Sequence, residues 1–108
     1  MLTLRLPIAL AALLFSGALA AADTYTIVFK DHKIVPATLE VPAGKKIKLI
    51  VDNQDATPEE FESHSLKREK IIPGKTKAII YIGPLKPGNY DIFGEFNPAT
   101  AQGNIVAK

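Results

Sequence analysis

The sequence contains no cysteine and no tryptophan, and its one methionine is the first residue. The absence of cysteine excludes a disulfide scaffold, a thiolate zinc site, an iron–sulfur cluster and a cysteine nucleophile. The formal net charge of +2 is small, so it does not indicate a nucleic acid or an anionic membrane surface as a partner. A chain of 108 residues is long enough for one small domain.

The first twenty residues have the pattern of an export signal. Arg5 is the only charged residue ahead of Asp23, and an apolar run followed by small residues lies between them. This order of basic start, short apolar run and small-residue end is typical of a secretory signal peptide. We predict a signal peptide over residues 1–20, with Ala22 as the second candidate for the cleavage site. The mature protein is then expected in the periplasm, soluble and not inserted in the membrane.

The remainder of the chain alternates between short strand-like segments and turns. In the segment 46–52, Ile47, Leu49 and Val51 share one face and lysines occupy the other, as in a half-buried β-strand. The best helix candidate is a single turn at 57–62. The pattern predicts an all-β domain over residues 24–108, a Greek-key β-sandwich or barrel, with strands at 24–30, 38–41, 46–52, 75–82, 89–93 and 103–108.

An acidic segment between the predicted strands is the most unusual part of the sequence. If a strand begins at Glu60, then Glu60, Glu62 and His64 point to one face and Phe61 points towards the core. Carboxylate and imidazole together suit borderline divalent metals such as iron, copper, manganese and zinc. Glu95 is a further carboxylate between two aromatic residues. The alternative interpretation is a solvated acidic face without a metal.

The order of motifs along the chain resembles a cupredoxin domain. Val41-Pro-Ala-Gly44, then Leu85-Lys-Pro-Gly-Asn-Tyr-Asp-Ile-Phe93 and then Gln102-Gly103 before a closing strand carry this resemblance, which covers residues 24–108. It implies a Greek-key β-sandwich. Blue-copper cupredoxins bind copper through His, Cys, His and a weak axial Met. No type 1 blue-copper site is expected here, because the matching positions hold Glu59, Gly94, Asn97 and Gln102.

The acidic segment and the Phe93–Gly103 end resemble a narrower group. These are small periplasmic cupredoxin-like proteins of ferrous iron uptake systems, related to the cupredoxin domain of EfeO-type proteins and accompanying Ftr-type iron permeases. This resemblance implies binding of copper or iron and assistance in oxidising ferrous iron. It also implies an inner-membrane iron permease and other periplasmic components as partners. The metal-binding positions that it implies are Glu60, Glu62, Glu69 and Glu95, to which the spacing adds His64.

Two other functions are compatible with the same residues. One is a periplasmic copper carrier without a redox role. The other is a metal-free interaction module that kept the cupredoxin frame, which the loss of all four blue-copper ligands favours. A ferrous oxidation assay separates an oxidase from a carrier, and metal binding separates both from the interaction module.

Overall fold

The computed structural model describes residues 22–108, and the predicted signal peptide at 1–20 lies outside them. In this part of the chain nothing helical is long and apolar enough to cross a membrane. The described residues form nine strands, which are β1 Asp23–Lys30, β2 Lys33–Val35, β3 Thr38–Val41, β4 Ile47–Asn53, β5 Glu59–Ser63, β6 Arg68–Ile72, β7 Thr76–Ile82, β8 Gly88–Gly94 and β9 Gln102–Ala107.

The strands form two sheets that pack face to face. The first sheet has the order β2-β1-β4-β7, and the second has the order β3-β9-β8-β5-β6. β1 pairs with β4 in parallel and β3 pairs with β9 in parallel, whereas the other pairs are antiparallel. This architecture confirms the predicted all-β sandwich.

Alternation along each strand builds the core between the two sheets. On β4, Ile47, Leu49 and Val51 are fully buried, as their period of two predicts. Full burial of such a side chain contributes about 1.5–3 kcal/mol relative to leaving it exposed. This packing joins the two sheets without any sulfur bridge. The largest fully buried apolar side chains of the other strands are Ile27, Phe29, Phe61, Ile72, Ile82, Ile92 and Ile105.

The predicted single helical turn at 57–62 is wrong, because β5 begins at Glu59. This segment lies between β6 and β8, so tertiary pairing supplies backbone hydrogen bonds that a local turn would otherwise make. The sequence pattern does not predict two further strands, β2 and β6. β2 has only three residues, and the Arg-Glu-Lys start of β6 shows no apolar alternation. The pairing of β2 with β1, and of β6 with β5, holds both segments in the extended conformation.

The buried side chain of Asn53 holds the loop between β4 and β5. Its Nδ2 donates hydrogen bonds to the carbonyl oxygens of Thr57 at 2.9 Å and Ile72 at 3.1 Å. Its Oδ1 accepts a hydrogen bond from the backbone N–H of Asp55 at 3.1 Å. Asn53 therefore sets the position at which β5 begins, and with it the position of Glu59.

Asp55 in the same loop anchors the turn between β1 and β2. Its carboxylate accepts hydrogen bonds from the backbone N–H of Asp31 at 2.7 Å and of His32 at 3.0 Å. Both turn residues have positive φ values, of 54° and 57°, which a non-glycine residue adopts only with outside support. Burial alone would raise the pKa of Asp55, but these two hydrogen bonds, with the positive charges of His32 and Lys75, lower it.

Candidate functional site

Three glutamates on the outer face of the β5–β6 hairpin form the carboxylate cluster, which consists of Glu60, Glu62 and Glu69. Glu60 and Glu62 point outward because Glu59, Phe61 and Ser63 alternate with them and are buried. Glu69 lies directly opposite Glu62 in the β5–β6 register. One carboxylate oxygen from each member lies within 4.8 Å of the others, as in a group that could hold a metal ion.

Desolvation and mutual repulsion of the negative charges both act on the carboxylates of this cluster. The pKa of Glu62 is raised above its ordinary value by desolvation first, then by the negative charges of Glu69 and Glu60. A hydrogen bond with Glu69 raises this pKa further, whereas the positive charge of His64 lowers it. A divalent cation shared by the three carboxylates would replace this repulsion with attraction.

The two other predicted ligands lie outside the carboxylate cluster. His64 is in the turn after β5, exposed, with its ring centroid 5.4 Å from that of Phe93. Glu95 is exposed after the end of β8, and its backbone N–H donates to the carbonyl oxygen of Glu60 at 2.9 Å. A surface groove of about 420 Å³ places His64 beside two members of the cluster, since it is lined by Glu62, Ser63, His64, Lys67, Arg68 and Glu69.

Glu59 occupies the corner where the resemblance places a blue-copper site. Its side chain is only 2% exposed. Oε1 accepts hydrogen bonds from the backbone N–H of Phe96 at 2.8 Å and of Glu60 at 3.0 Å, and Oε2 accepts one from Nδ2 of Asn97 at 2.7 Å. Three donors around one buried carboxylate compensate for the loss of its hydration.

Gly94 is the position at which that site would need its cysteine. A Cβ atom built on Gly94 would lie 2.6 Å from Cδ and 2.7 Å from Oε2 of Glu59, and 2.8 Å from Cβ of Ala101. Real Cβ contacts are never this short. The carboxylate of Glu59 therefore fills the space that a side chain at position 94 would require.

The remaining two positions of that corner are also engaged in hydrogen bonds. Asn97 donates to Glu59, and its carbonyl oxygen accepts the backbone N–H of Ala101 at 2.8 Å. Gln102 is exposed, and its Nε2 donates to the carbonyl oxygen of Pro98 at 2.8 Å. Within residues 22–108 no buried side-chain nitrogen or oxygen lacks a hydrogen-bond partner. The corner offers no free ligand set, so a type 1 copper ion does not fit it.

Sequence reasoning missed the role of Glu59, although the sequence contained a signal for it. Residues 59, 61 and 63 share one face of a strand, so the assignment of Phe61 to the core also assigns Glu59 to the interior. The strand prediction began one residue later, at Glu60, and so treated Glu59 only as the position matching a copper ligand. Two of its three hydrogen-bond donors lie 37 and 38 residues away in the chain.

Comparison with known proteins agrees with this fold. The sequence model of the cupredoxin-like domain matches residues 4–107. An uncharacterized protein of Rickettsia prowazekii (strain Madrid E) is 55% identical over 80 residues, which are 74% of this chain and 64% of the relative. The chain thus spans less than two thirds of that relative's length.

Solved structures with the same fold include copper proteins of low sequence identity. Auracyanin A, a blue copper protein of Chloroflexus aurantiacus, has a TM-score of 0.70 and 13% identity over 82% of this chain and 100% of its own. Amicyanin of Paracoccus versutus has a TM-score of 0.61 and 16% identity over 82% of this chain and 85% of its own.

A third similar structure is a domain of a transport protein. The metal-binding domain of the Streptococcus pneumoniae D39 Cu(I)-exporting P-type ATPase, solved with Cu(I), has a TM-score of 0.63 and 12% identity over 79% of this chain and 84% of its own. At such identities these likenesses show the fold alone. The match of the family sequence model over nearly the whole chain shows that this protein belongs to the cupredoxin-like domain family.

Proposed function

We propose that this protein binds a divalent transition-metal ion, copper or iron, at the carboxylate cluster of Glu60, Glu62 and Glu69. The observation that carries the proposal is the approach of three carboxylate oxygens to within 4.8 Å of one another on two paired strands. The pairing of β5 with β6 holds these oxygens together although their charges repel. Copper binding by similar structures supports metal handling as the family's chemistry.

The chemistry of the ligands favours iron in its higher oxidation state. Carboxylate oxygens are hard ligands and stabilise ferric more than ferrous ion. A ferrous ion bound here would therefore lose one electron more readily to an acceptor such as dioxygen or a cupric ion. Such a step would assist iron uptake, and we propose an inner-membrane iron permease as the partner and the periplasm as the compartment. The signal-like pattern of residues 1–20 supports export.

A metal titration of the protein comprising residues 22–108 tests the site. All nine strands and the core described above lie in this segment, so it contains the elements needed for folding. Calorimetry with Cu(II), and with Fe(II) under anaerobic conditions, should show one site. The double variant Glu62→Gln/Glu69→Gln should weaken binding at least about 30-fold, since it removes two charged ligands at about 1 kcal/mol or more each.

Matched variants locate the site on the surface. Glu40→Gln removes one charge from the same sheet at a position paired with Lys108 and should leave metal binding unchanged. Glu95→Gln and His64→Gln test whether the two other predicted ligands, which lie outside the cluster, take part in metal binding. Equal weak binding by the unsubstituted protein and the Glu62/Glu69 variant would exclude the cluster as the site. Ferrous oxidation that stays at the background rate despite tight binding would favour a copper carrier.

One observation favours a second function, a metal-free interaction module. The corner that holds copper in blue-copper cupredoxins is closed here by Glu59, Gly94 and Asn97. A protein that had lost its metal role altogether would show the same closure. The titration separates the two functions, because the interaction module would bind none of the metals at any member of the cluster.

A further inference from the structure

The small net charge hides a separation of charge between the two outer faces of the sandwich. On the β2-β1-β4-β7 sheet, residues that are opposite one another in register point to the same side. We call this outer surface the lysine face. Its charged members are one acid, Asp52, and four lysines, which are Lys30, Lys33, Lys48 and Lys77.

The outer surface of the other sheet is acidic. The register of β3, β9, β8, β5 and β6 places five acids on it and no lysine or arginine from these strands. Lys108, after the last strand, neutralises one of them through an ion pair of 3.0 Å with Glu40. The acids are Glu40, Glu60, Glu62, Glu69 and Asp91, so the carboxylate cluster lies on the side opposite the lysine face.

Both edges of the lysine face carry exposed apolar side chains, since Val35 lies on the edge strand β2 and Ile79 and Tyr81 lie on the edge strand β7. Val35, Ile79 and Tyr81 have 52%, 51% and 46% of their surface exposed. Ile79 lies opposite Ile50 in the β4–β7 register, so aliphatic side chains continue from β7 onto β4. The ammonium of Lys46 lies 4.7 Å from the centroid of the Tyr81 ring, which adds a fifth lysine at the edge. Exposed apolar groups beside charges that are mostly of one sign are typical of a contact surface.

We propose that the lysine face binds the surface of a lipid bilayer that contains anionic phospholipid. Long lysine side chains reach anionic headgroups while aliphatic and tyrosine side chains enter the interfacial region. An acidic protein is the other candidate occupant. Lysine is depleted in protein–protein interfaces, whereas clustered lysines are the usual determinant of attraction to anionic membranes. The composition of this face therefore favours lipid.

This arrangement has a consequence for orientation. Because the two sheets pack face to face, their outer surfaces point in opposite directions. A sandwich that lies on the bilayer by its lysine face therefore turns its acidic face to the aqueous side. The negative charge of the bilayer surface would repel the acidic face and so disfavour the opposite orientation. The proposal rests on the lysine face alone and stands whether or not the carboxylate cluster binds metal.

Sedimentation with vesicles tests the proposal directly. The protein of residues 22–108 is used, so that the apolar run of the N-terminal segment cannot contribute. Binding to vesicles of phosphatidylcholine with phosphatidylglycerol should exceed binding to phosphatidylcholine alone by at least about tenfold at low salt, and should weaken as salt rises. Lys48→Gln/Lys77→Gln should reduce binding to the anionic vesicles about tenfold or more. Ile79→Thr should reduce it severalfold.

Lys70→Gln/Lys108→Gln is the matched control, because it removes the same charge from positions outside the lysine face. It should leave vesicle binding unchanged, and circular dichroism should show all variants folded. Equal losses in the two double variants would overturn the face assignment. Equal affinity for neutral and anionic vesicles would overturn the proposal. A third outcome would be that poly-glutamate changes the NMR chemical shifts of backbone amides on the lysine face while no vesicle binds. It would also overturn the proposal, in favour of an acidic protein as the partner.

Discussion

The carboxylate of Glu59 occupies the space that a side chain at Gly94 would need. A Cβ atom at position 94 would lie 2.6 Å from Cδ of Glu59, and the buried carboxylate is held there by Asn97 and two backbone N–H groups. In a cupredoxin-like frame this is the corner expected to hold copper. Here a side chain of the protein itself closes the corner.

Gly94→Ala should destabilise the protein by at least about 2 kcal/mol, because overpacking a buried position costs about 1–3 kcal/mol and two neighbours are too close here. Urea denaturation measures the change. Gly44→Ala is the control, because nothing lies within 4 Å of its added Cβ and only its φ of +78° opposes the substitution. It should cost about 1 kcal/mol. In a Glu59→Ala background the added cost of Gly94→Ala should shrink, since one of its two clashes is gone.

Glu59→Gln should cost about 1–3 kcal/mol, because it removes the charge that strengthens three hydrogen bonds and requires the amide of Asn97 to turn its oxygen towards residue 59. The exchanged pair Glu59→Gln/Asn97→Asp restores a donor opposite an acceptor. We expect it to recover at least half of the lost free energy of unfolding. A double variant that is as unstable as the sum of its two single variants would contradict the proposed pairing.

Metal binding at the carboxylate cluster should weaken as pH falls, beginning above the ordinary glutamate value of 4.5. The pKa of Glu62 is raised by desolvation and by its acidic neighbours, so protons compete with the metal at higher pH than at an isolated glutamate. Carbon NMR of the Glu62 carboxyl group measures this pKa. Glu69→Gln should lower it towards 4.5, and an unchanged value would show that Glu69 does not act on Glu62.

The same raised pKa has a defined sign for stability in the metal-free protein. The folded state holds a proton on Glu62 more tightly than the unfolded state does, so this group adds stability as pH falls through its folded pKa. Glu69→Gln removes part of the repulsion and should reduce that pH dependence. Unfolding in urea at several pH values, without metal, checks it.

Asp55→Ala should lower the free energy of unfolding by about 1 kcal/mol at neutral pH, because two turn N–H groups lose a charged acceptor. The pKa of Asp55 is lowered in the folded state. Its contribution is therefore present above 3.8 and is lost as pH falls through the folded pKa. Urea midpoints of the two proteins should converge in strong acid. Asp55→Asn keeps one acceptor and should lie between them.

Local pattern predicted much of the fold and part of the site. Alternation placed Phe61 in the core and Glu60 and Glu62 on the outer face, and the structure agrees. The alignment of Glu69 with Glu62 depends on the turn between β5 and β6, where Ser63 Oγ accepts the backbone N–H of Leu66 at 3.2 Å. No periodicity within one strand specifies such a register.

The sequence by itself determined the strand-forming segments, the absence of a thiolate ligand and the outward direction of the alternate lysines and glutamates. Only the tertiary structure decided which strands are neighbours, and this brought Glu59 against Gly94 and Asn97 and separated the lysine face from the acidic one. The physical reason is that side-chain direction follows from the period of a single strand. Charge clusters and filled cavities instead depend on pairing between segments that are distant in the chain.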